Sequence, residues 1–304
     1  MLLCRSEIGT LKSVAICSPA TTIIKNQNDL FLHGFSEFIQ YNILYDSYLK
    51  LQNIFNQNEV KVLNLSNYVP IEKEQIFSSC INRMFVRDVG AVVGNKLLIG
   101  KASLPSRKKE FGISEKILSN LFKNCVQVIE NVVEFGDLLI INNNCIIVNF
   151  GVRSKIEALQ DILKFSLSQG FYNLIILRIP SSYNRIHLDL TMNIVTEKAC
   201  IADHKLALLR ATLYKDGKKS FCDALVNIFK YLGIKTYWIA NAESFIFNFL
   251  SINPETILIN SKYHNIFRKI LHESKIKTIS IDLNEFEKAG GSVRCATLPL
   301  LRIC

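Results

Sequence analysis

Several residues with nucleophilic, acid–base or cation-binding side chains stand where predicted hairpins begin. Cys295 lies in "GGSVRCATLPL", which is typical of a loop that opens into a short strand. His187 and Asp189 lie in "IHLD". Because residues two apart on a strand face the same side, we expect both side chains in one site. Taken singly, Cys295 is typical of a small buried hydrophobe and His187 of a core histidine, so their chemistry depends on what accompanies them.

Carboxylates accompany them at two other predicted hairpins. Asp88 ends "NRMFVRD", and Glu134 and Asp137 lie in "VEFGD". Each has an ordinary alternative, because Asp88 or Asp137 could cap a hairpin and Glu134 could lie at the surface. The joint arrangement of a thiol, an imidazole and several carboxylates favours a site over these separate alternatives.

This set of side chains suits a cationic substrate. A protease or an acyl transferase would also use Cys295 and His187, but it must stabilise an anion, which nearby carboxylates oppose. A guanidinium is a planar cation that donates paired hydrogen bonds to carboxylates. A thiolate can attack its central carbon while His187 protonates the departing amine.

The elements that must position these residues repeat along the chain. Two short strands joined by a tight turn are followed by a helix and a third strand. The turns fall near residues 94, 143, 197 and 254, about fifty residues apart. Predicted helices cover residues 114–125, 154–170, 220–233 and 261–274, with a further one around 35–55.

The last segment, "GSVRCATLPLLR", could supply the strand that the N-terminal unit lacks. That strand would close a ring of five ββαβ units with pseudo-fivefold symmetry, a five-bladed α/β propeller formed by residues 1–304 as one domain. Loops from successive units would then meet at the axis and share one pocket. An ordinary α/β sheet is the alternative.

Composition excludes several classes of protein. The chain has 304 residues, 49% of them hydrophobic, and no apolar run approaches the roughly 18 residues of a membrane helix. Nine cysteines without a CxxC pair, and histidines without a metal-binding spacing, favour a reducing, cytoplasmic setting with no disulfide framework and no metal. The net charge of +10 is dispersed, so a solvated basic surface is favoured over a nucleic-acid partner. We expect no membrane partner and no cofactor.

The ordered motifs "FVRD", "EFGD", "HLD" and "GGSVRCATLPL" resemble those of the guanidine-modifying enzymes. That superfamily includes arginine deiminases, dimethylarginine dimethylaminohydrolases, arginine dihydrolases and amidinotransferases. The opening "SEIGTLKSVAICSP" is similar to the family's first strand and loop, so the likeness covers nearly the whole chain. It implies the five-bladed pentein propeller that the repeat predicts independently.

The resemblance implies a role for each matching residue. Cys295 would be the nucleophile and His187 the general acid and base. Asp88 and Asp189 would bind the guanidinium. Glu134 would orient His187 or the substrate.

The amino-acid end of a substrate has its own candidates. Asn82 lies six residues before Asp88, as the corresponding Asn does in arginine deiminases, and Arg107 follows Asp88 by nineteen. Arg153 follows Glu134 by the same interval. Either arginine alone could be a surface charge, but both at these spacings favour an α-amino-acid substrate held by its carboxylate.

Three features depart from a typical arginine deiminase. The helical insertion that those enzymes carry before the FxRD motif is absent, and Ala289-Gly290 stands where they have an arginine. Phe135-Gly136 replaces the usual Gly-Gly, and the neighbouring Asp137 would support its loop.

The sequence therefore predicts a guanidino-group hydrolase that acts on free L-arginine and yields citrulline, or ornithine after a second hydrolysis. Dimethylarginine hydrolysis and amidino transfer are the alternatives, and a non-catalytic pentein that binds the ribosome is a further one. The partner expected is a small molecule, and a homo-oligomer is compatible with the sequence.

Overall fold

The computed structural model describes residues 1–22, 24–272 and 276–303. It is a mixed α/β fold whose strands form five separate sheets. In the described ranges, the strands are β1 (Thr10–Ile16), β2 (Lys61–Asn64), β3 (Gly90–Val93), β4 (Lys96–Ile99), β5 (Val126–Val128), β6 (Leu138–Asn142), β7 (Cys145–Asn149), β8 (Asn173–Leu177), β9 (Met192–Thr196), β10 (Ala199–Asp203), β11 (Arg210–Lys215), β12 (Lys218–Ala224), β13 (Lys235–Ile239), β14 (Leu250–Asn253), β15 (Thr256–Asn260), β16 (Lys277–Ile281) and β17 (Leu298–Ile303).

The α-helices are mostly short and pack on the apolar cores between and beside the sheets. They are α1 (Gln27–His33), α2 (Tyr41–Gln57), α3 (Glu74–Ser78), α4 (Lys108–Phe122), α5 (Leu159–Ser168), α6 (Leu225–Tyr231), α7 (His264–Ile270) and α8 (Asn284–Lys288). Among the described helices, none is both long and apolar enough to cross a bilayer.

One plan is common to all five sheets. A central strand pairs antiparallel with one neighbour and parallel with a third strand. The orders are β17-β1-β2, β3-β4-β5, β12-β11-β8-β7-β6, β13-β10-β9 and β14-β15-β16. The first tight turn is at Gly94, whose φ of 64° lies in the left-handed region that glycine adopts without steric cost. The predicted hairpin units are confirmed.

The predicted pairing of the chain's two ends is also confirmed. β17 pairs antiparallel with β1, with Thr10 opposite Ile303 and Ala15 opposite Leu298. Arg302, buried in β17, donates a hydrogen bond to the carbonyl of Gly9. No sheet in the described chain closes on itself, so these pairings establish five sheets and leave their arrangement as a ring a prediction.

One predicted helix is wrong in part. Residues 218–224 form strand β12, and helix α6 begins only at Leu225. The reason is the Asp216-Gly217 turn, whose positive φ values of 48° and 76° suit a two-residue hairpin. This hairpin adds β11 and β12 to the β8 edge of the sheet that contains β6, β7 and β8.

Three other predicted helices differ in their bounds. Helix α5 covers Leu159–Ser168, within the predicted 154–170. Helix α4 begins at Lys108, six residues before the predicted start, after a 3-10 turn that opens with Pro105. Helix α7 ends at Ile270, and the predicted end at 273–274 lies outside the described residues.

Candidate active site

Each sheet places polar side chains just before the outer strand of its hairpin. That strand is the antiparallel partner of the central strand in every sheet. The residues are Asp88 before β3, Glu134 and Asp137 before β6, His187 and Asp189 before β9, Asn248 before β14, and Cys295 before β17. Apart from Asn248, these are the residues singled out in the sequence, and all are buried.

Cys295 lies in a turn that leads directly into β17, and glycines make room for it. A Cβ atom on Gly291 would lie 2.9 Å from the Cβ of Cys295 and 2.5 Å from the ring of Phe85. Gly290 has φ +96°, and a Cβ there would meet the carbonyl oxygen of Gly34 at 2.8 Å. The Gly-Gly pair therefore allows the cysteine loop to pack closely against two other segments.

Asn248 holds this cysteine by two hydrogen bonds. Its side-chain Nδ2 lies 3.1 Å from Cys295 Sγ, and its Oδ1 accepts from the Cys295 backbone N–H at 3.1 Å. The residue was missed in the sequence because "FIFNF" reads as an apolar run. Its position could still have identified it. The hairpin that begins after Asn248 is the one hairpin to which the sequence analysis assigned no polar site residue.

His187 lies between two carboxylates. Its Nε2 is 2.9 Å from Glu134 Oε2, and its Nδ1 is 3.6 Å from Asp88 Oδ1. A Cβ on Gly136 would lie 2.7 Å from His187 Nδ1, so only glycine fits beside the ring. Asp137 accepts a hydrogen bond from the backbone N–H of Leu188 and so supports the loop that carries the histidine.

The other carboxylate lies on the cysteine side. Asp189 Oδ2 accepts a hydrogen bond from Arg294 Nη1 at 2.9 Å and is 3.9 Å from Cys295 Sγ. Arg294 also donates to Glu7 and to the carbonyl of Leu138, which fixes its guanidinium inside the protein. Arg294 therefore contacts Asp189 and is not a ligand of the thiol.

Two buried carboxylate oxygens close to these groups are unsatisfied. Asp88 Oδ1 and Asp189 Oδ1 have no hydrogen-bond partner within the described chain. Buried carboxylate oxygens are normally hydrogen-bonded, since desolvating them without a partner is costly. A guanidinium donates several N–H groups in one plane and could satisfy both oxygens.

The residues expected to bind the amino-acid end of the substrate differ in whether they have a free hydrogen-bonding group. The guanidinium of Arg107 is already bound by Asp88 and Glu110. Arg153 Nη1 is buried, 3.8 Å from Glu134 Oε1, and has no hydrogen-bond partner in the described part of the protein. Asn82 donates to the carbonyl of His33, while its buried Oδ1 has no such partner there.

The surroundings shift the pKa values in a consistent direction. Burial opposes a charged His187, but Asp88 and Glu134 outweigh it and raise its pKa above the ordinary value. Burial raises the pKa of the Cys295 thiol, and the charges of Asp189 and Asp88 raise it further, against the hydrogen bond from Asn248. The protein alone therefore favours a protonated imidazole and a neutral thiol at neutral pH.

Three of these side chains also have a spacing that a metal ion could use. Ligand atoms of Asp88, Glu134 and His187 lie within 4.8 Å of one another. The guanidinium of Arg107 contacts Asp88 and lies 3.8 Å from Glu134, so a cation already neutralises this set.

A family model described as arginine deiminase matches residues 40–216, more than half of the chain. The chain is 25% identical over 303 residues to the uncharacterized protein YkgA of Bacillus subtilis (strain 168), covering 98% of this chain and 95% of that protein. It is 25% identical over 273 residues to the arginine deiminase of Borrelia recurrentis (strain A1), covering 79% of this chain but 65% of that enzyme.

Solved structures are similar over nearly the whole chain. A dimethylarginine dimethylaminohydrolase adduct has a TM-score of 0.69 at 17% identity, covering 95% of this chain and 99% of that one. SxtG, an amidinotransferase from Microseira wollei, has a TM-score of 0.72 at 13% identity, covering 99% and 97%. At such identities the likeness shows a shared fold.

Proposed function

We propose, from the premise that the chain belongs to the arginine deiminase family, that it hydrolyses the guanidino group of free L-arginine through a covalent bond to Cys295. The observation that carries this proposal is the pair of unsatisfied buried oxygens on Asp88 and Asp189, which flank a thiol and an imidazole. The known activities in the names of these relatives support guanidino chemistry in general.

The substrate guanidinium would bind between the two aspartates. Hydrogen bonds to Asp88 Oδ1 and Asp189 Oδ1 would hold its nitrogens and orient its central carbon towards Cys295 Sγ. At the other end of the substrate, Arg153 offers a buried N–H group to the carboxylate, and Asn82 Oδ1 offers an acceptor to the ammonium group. These contacts favour a free amino acid over a guanidine without a carboxylate.

Binding of a cation would itself activate the thiol. The charges of Asp189 and Asp88 raise the pKa of Cys295 in the ligand-free protein. A guanidinium bound to both aspartates offsets those charges and so lowers the thiol pKa. Asn248 Nδ2 would then donate its hydrogen bond to the thiolate sulfur.

The proposed reaction has two halves. The thiol proton passes to solvent when the cation binds, and the Cys295 thiolate forms a bond to the guanidinium carbon. The bond from that carbon to one terminal nitrogen then breaks as His187 gives its proton to this nitrogen, which leaves as ammonia. His187 Nε2 is bonded to Glu134, so Nδ1, which faces Asp88, is the nitrogen placed for this transfer. Neutral His187 then takes a proton from water, whose oxygen attacks the same carbon. The carbon–sulfur bond breaks and citrulline leaves.

This site requires loops from all five sheets to meet. We therefore also propose that the sheets are the blades of a five-bladed propeller and that residues 1–304 act as one domain. The common position of the site residues, each just before an outer hairpin strand, supports that arrangement. An axis at that end of the sheets would bring the five loops together.

The test is incubation of the purified protein with L-arginine while ammonia, citrulline and ornithine are measured, with Cys295→Ala as the control. Citrulline and one ammonia per arginine, both absent with the variant, are the expected result. Two ammonia with ornithine would indicate a dihydrolase. Dimethylarginine and an added amine acceptor are supplied in parallel, and turnover of those alone, or of arginine by Cys295→Ala, would contradict the proposal.

A further inference from the structure

Arg107 places a guanidinium of the protein itself on the acid that is proposed to bind the substrate. Its Nη1 donates a hydrogen bond to Asp88 Oδ2 and lies 3.8 Å from Glu134 Oε2. The side chain is 4% exposed and its plane lies near the ring of Phe111. An arginine side chain therefore already holds one oxygen of Asp88.

The same guanidinium has a second acid on its other edge. Arg107 Nε and Nη2 both donate to Glu110 Oε1, and Glu110 is 2% exposed. Arg107 and Glu110 are three residues apart at the start of α4, so they face the same side of one turn. Among the described residues, the hydrogen bonds of the Glu110 carboxylate are to this arginine, and the charges of Asp88 and Glu134 act on it without direct contact.

We propose that Arg107 is an internal competitor for Asp88, and that Glu110 is the positioning residue that holds Arg107 aside when a cationic substrate binds. This inference rests on the proposed function. The inference adds to the proposed binding mode that the substrate guanidinium takes Asp88 Oδ2 as well as Oδ1, as a planar fork can. It must then displace Arg107 Nη1 from Oδ2, and the displaced guanidinium keeps its two hydrogen bonds to Glu110. The pair would thereby set how strongly the site prefers a cationic amidine.

Charge explains why the exchange needs Glu110. Without a substrate, Arg107 is shared by Asp88, Glu110 and Glu134, three buried carboxylates. A substrate guanidinium brings a second cation to Asp88, and two cations beside one carboxylate repel each other strongly in a buried site. Burial raises the pKa of Glu110 to about 7, against the charge of Arg107. In its ionised form Glu110 offers Arg107 a counter-charge at a distance from the incoming cation, which a neutral side chain could not do.

The test uses a pair of small alkylating probes that differ in charge. 2-Chloroacetamidine is a cation and 2-chloroacetamide is its neutral analogue, and both alkylate a thiolate with loss of chloride. The rate at Cys295 is followed by mass spectrometry of its peptide, in the full-length protein. The neutral probe reports the state of the nucleophile in each variant, so the ratio of the two rates isolates recognition of the cation.

We expect wild type to react with the amidine at least about tenfold faster than with the amide, the scale of one charge-assisted contact. Glu110→Gln should lower this ratio about fivefold, because Arg107 then remains on Asp88. Arg107→Gln should raise it, because the competitor is gone. Glu115→Gln, at a partly buried acid of the same helix that pairs with Lys101, should leave it unchanged.

The double variant Arg107→Gln/Glu110→Gln separates positioning from a general structural effect. If Glu110 acts only through Arg107, the double variant has the ratio of Arg107→Gln alone. A ratio for Glu110→Gln equal to wild type, or single variants that shift the ratio in the same direction, would overturn the inference while the proposed function stands. A wild-type ratio near one would overturn both.

Discussion

The two aspartates of the site have the same hydrogen-bonding pattern but differ in the charges around them. Asp88 and Asp189 each give one oxygen to a buried arginine, Arg107 or Arg294, and each leave the other oxygen unsatisfied within the described chain. Around Asp88 the neighbours include two further acids, Glu134 and Glu110, with which it shares the cations Arg107 and His187. Around Asp189 they are mainly cations, because Arg87 also lies near it.

This difference in surrounding charge separates an aspartate that recognises the cation from one that stabilises the fold under the thiol. Arg294 is held by Glu7 and by a backbone carbonyl, so its contact with Asp189 belongs to the permanent framework under the thiol. Arg107 is held by Glu110, its neighbour on one helical turn, and is the arginine proposed to exchange partners when a cation binds. We therefore name the two regions the Asp189 side and the Asp88 side, and expect stability to depend on the first and cation recognition on the second.

Neutralising each aspartate tests this comparison most strongly. Asp88→Asn and Asp189→Asn should each lower kcat/KM for arginine by about 10³-fold, since each removes a charge that binds the cationic transition state. Asp189→Asn should also lower the free energy of unfolding by about 3 kcal/mol, because Arg87 and Arg294 are left with one buried carboxylate. Asp88→Asn leaves Arg107 paired with Glu110 and should cost less than half of that. Urea unfolding measures the free energy of unfolding of both variants. Equal losses of stability would contradict the distinction between the Asp88 side and the Asp189 side.

A substitution at Asn248 tests how the thiol is stabilised on the Asp189 side. Asn248→Ala removes the donor to Cys295 Sγ, so the pKa of the thiol should rise and kcat should fall by about 10²-fold. The pH dependence of chloroacetamide alkylation measures the thiol directly. Asn260→Ala removes another buried amide, which donates to Glu287 and Asn284 instead of the thiol. If that control shifts the alkylation profile as much as Asn248→Ala does, the effect of Asn248 is general destabilisation.

A substitution at Gly136 tests the position of His187 on the Asp88 side. Its added Cβ would lie 2.7 Å from His187 Nδ1 and 3.0 Å from Asp88 Oδ1, so Gly136→Ala must displace the ring. We expect kcat to fall by about tenfold to a hundredfold. The matched control is Gly112→Ala within α4, where a Cβ meets nothing within 4 Å and should add about 0.5–1 kcal/mol of stability. Full activity of Gly136→Ala would mean that His187 Nδ1 is not used.

The smallest expected effect is on the pH dependence of stability. The folded-state pKa of His187 lies above its ordinary value of about 6.5. Its charged form therefore stabilises the fold fully below that ordinary value, and the contribution is lost as pH rises through the folded-state pKa. His187→Gln should flatten this alkaline loss. A variant whose unfolding free energy falls with pH as steeply as wild type would show that His187 is not charged in the fold.

Hairpins with clear turn residues could be predicted from the sequence, and so could the pairing of β17 with β1, because both depend on local alternation and turn chemistry. The hairpin of β11 and β12 was missed because its strands are rich in lysine and the following apolar residues have a helical spacing. Only the pairing of β11 with β8, a non-local contact, explains that segment.

The site residues with unusual chemistry could be predicted in the same way, whereas their partners could not. Cys295 and His187 stand out by type, but an asparagine such as Asn248 is ordinary until its distance to the sulfur is known. The spacing of Arg107 indicated a buried functional arginine, yet its partner depends on side-chain packing. Glu110 carries no sequence signal beyond its place on the same helical turn.

The claim on which the rest depends is that Cys295 forms a covalent bond to the substrate. Wild-type protein would be mixed with L-arginine, quenched in acid within one turnover, and digested for peptide mass spectrometry. The account predicts an adduct with the mass of arginine less ammonia on the peptide that contains Cys295, appearing before citrulline and absent from Cys295→Ser. An adduct on another residue, or citrulline formed at the wild-type rate by Cys295→Ser, would contradict it.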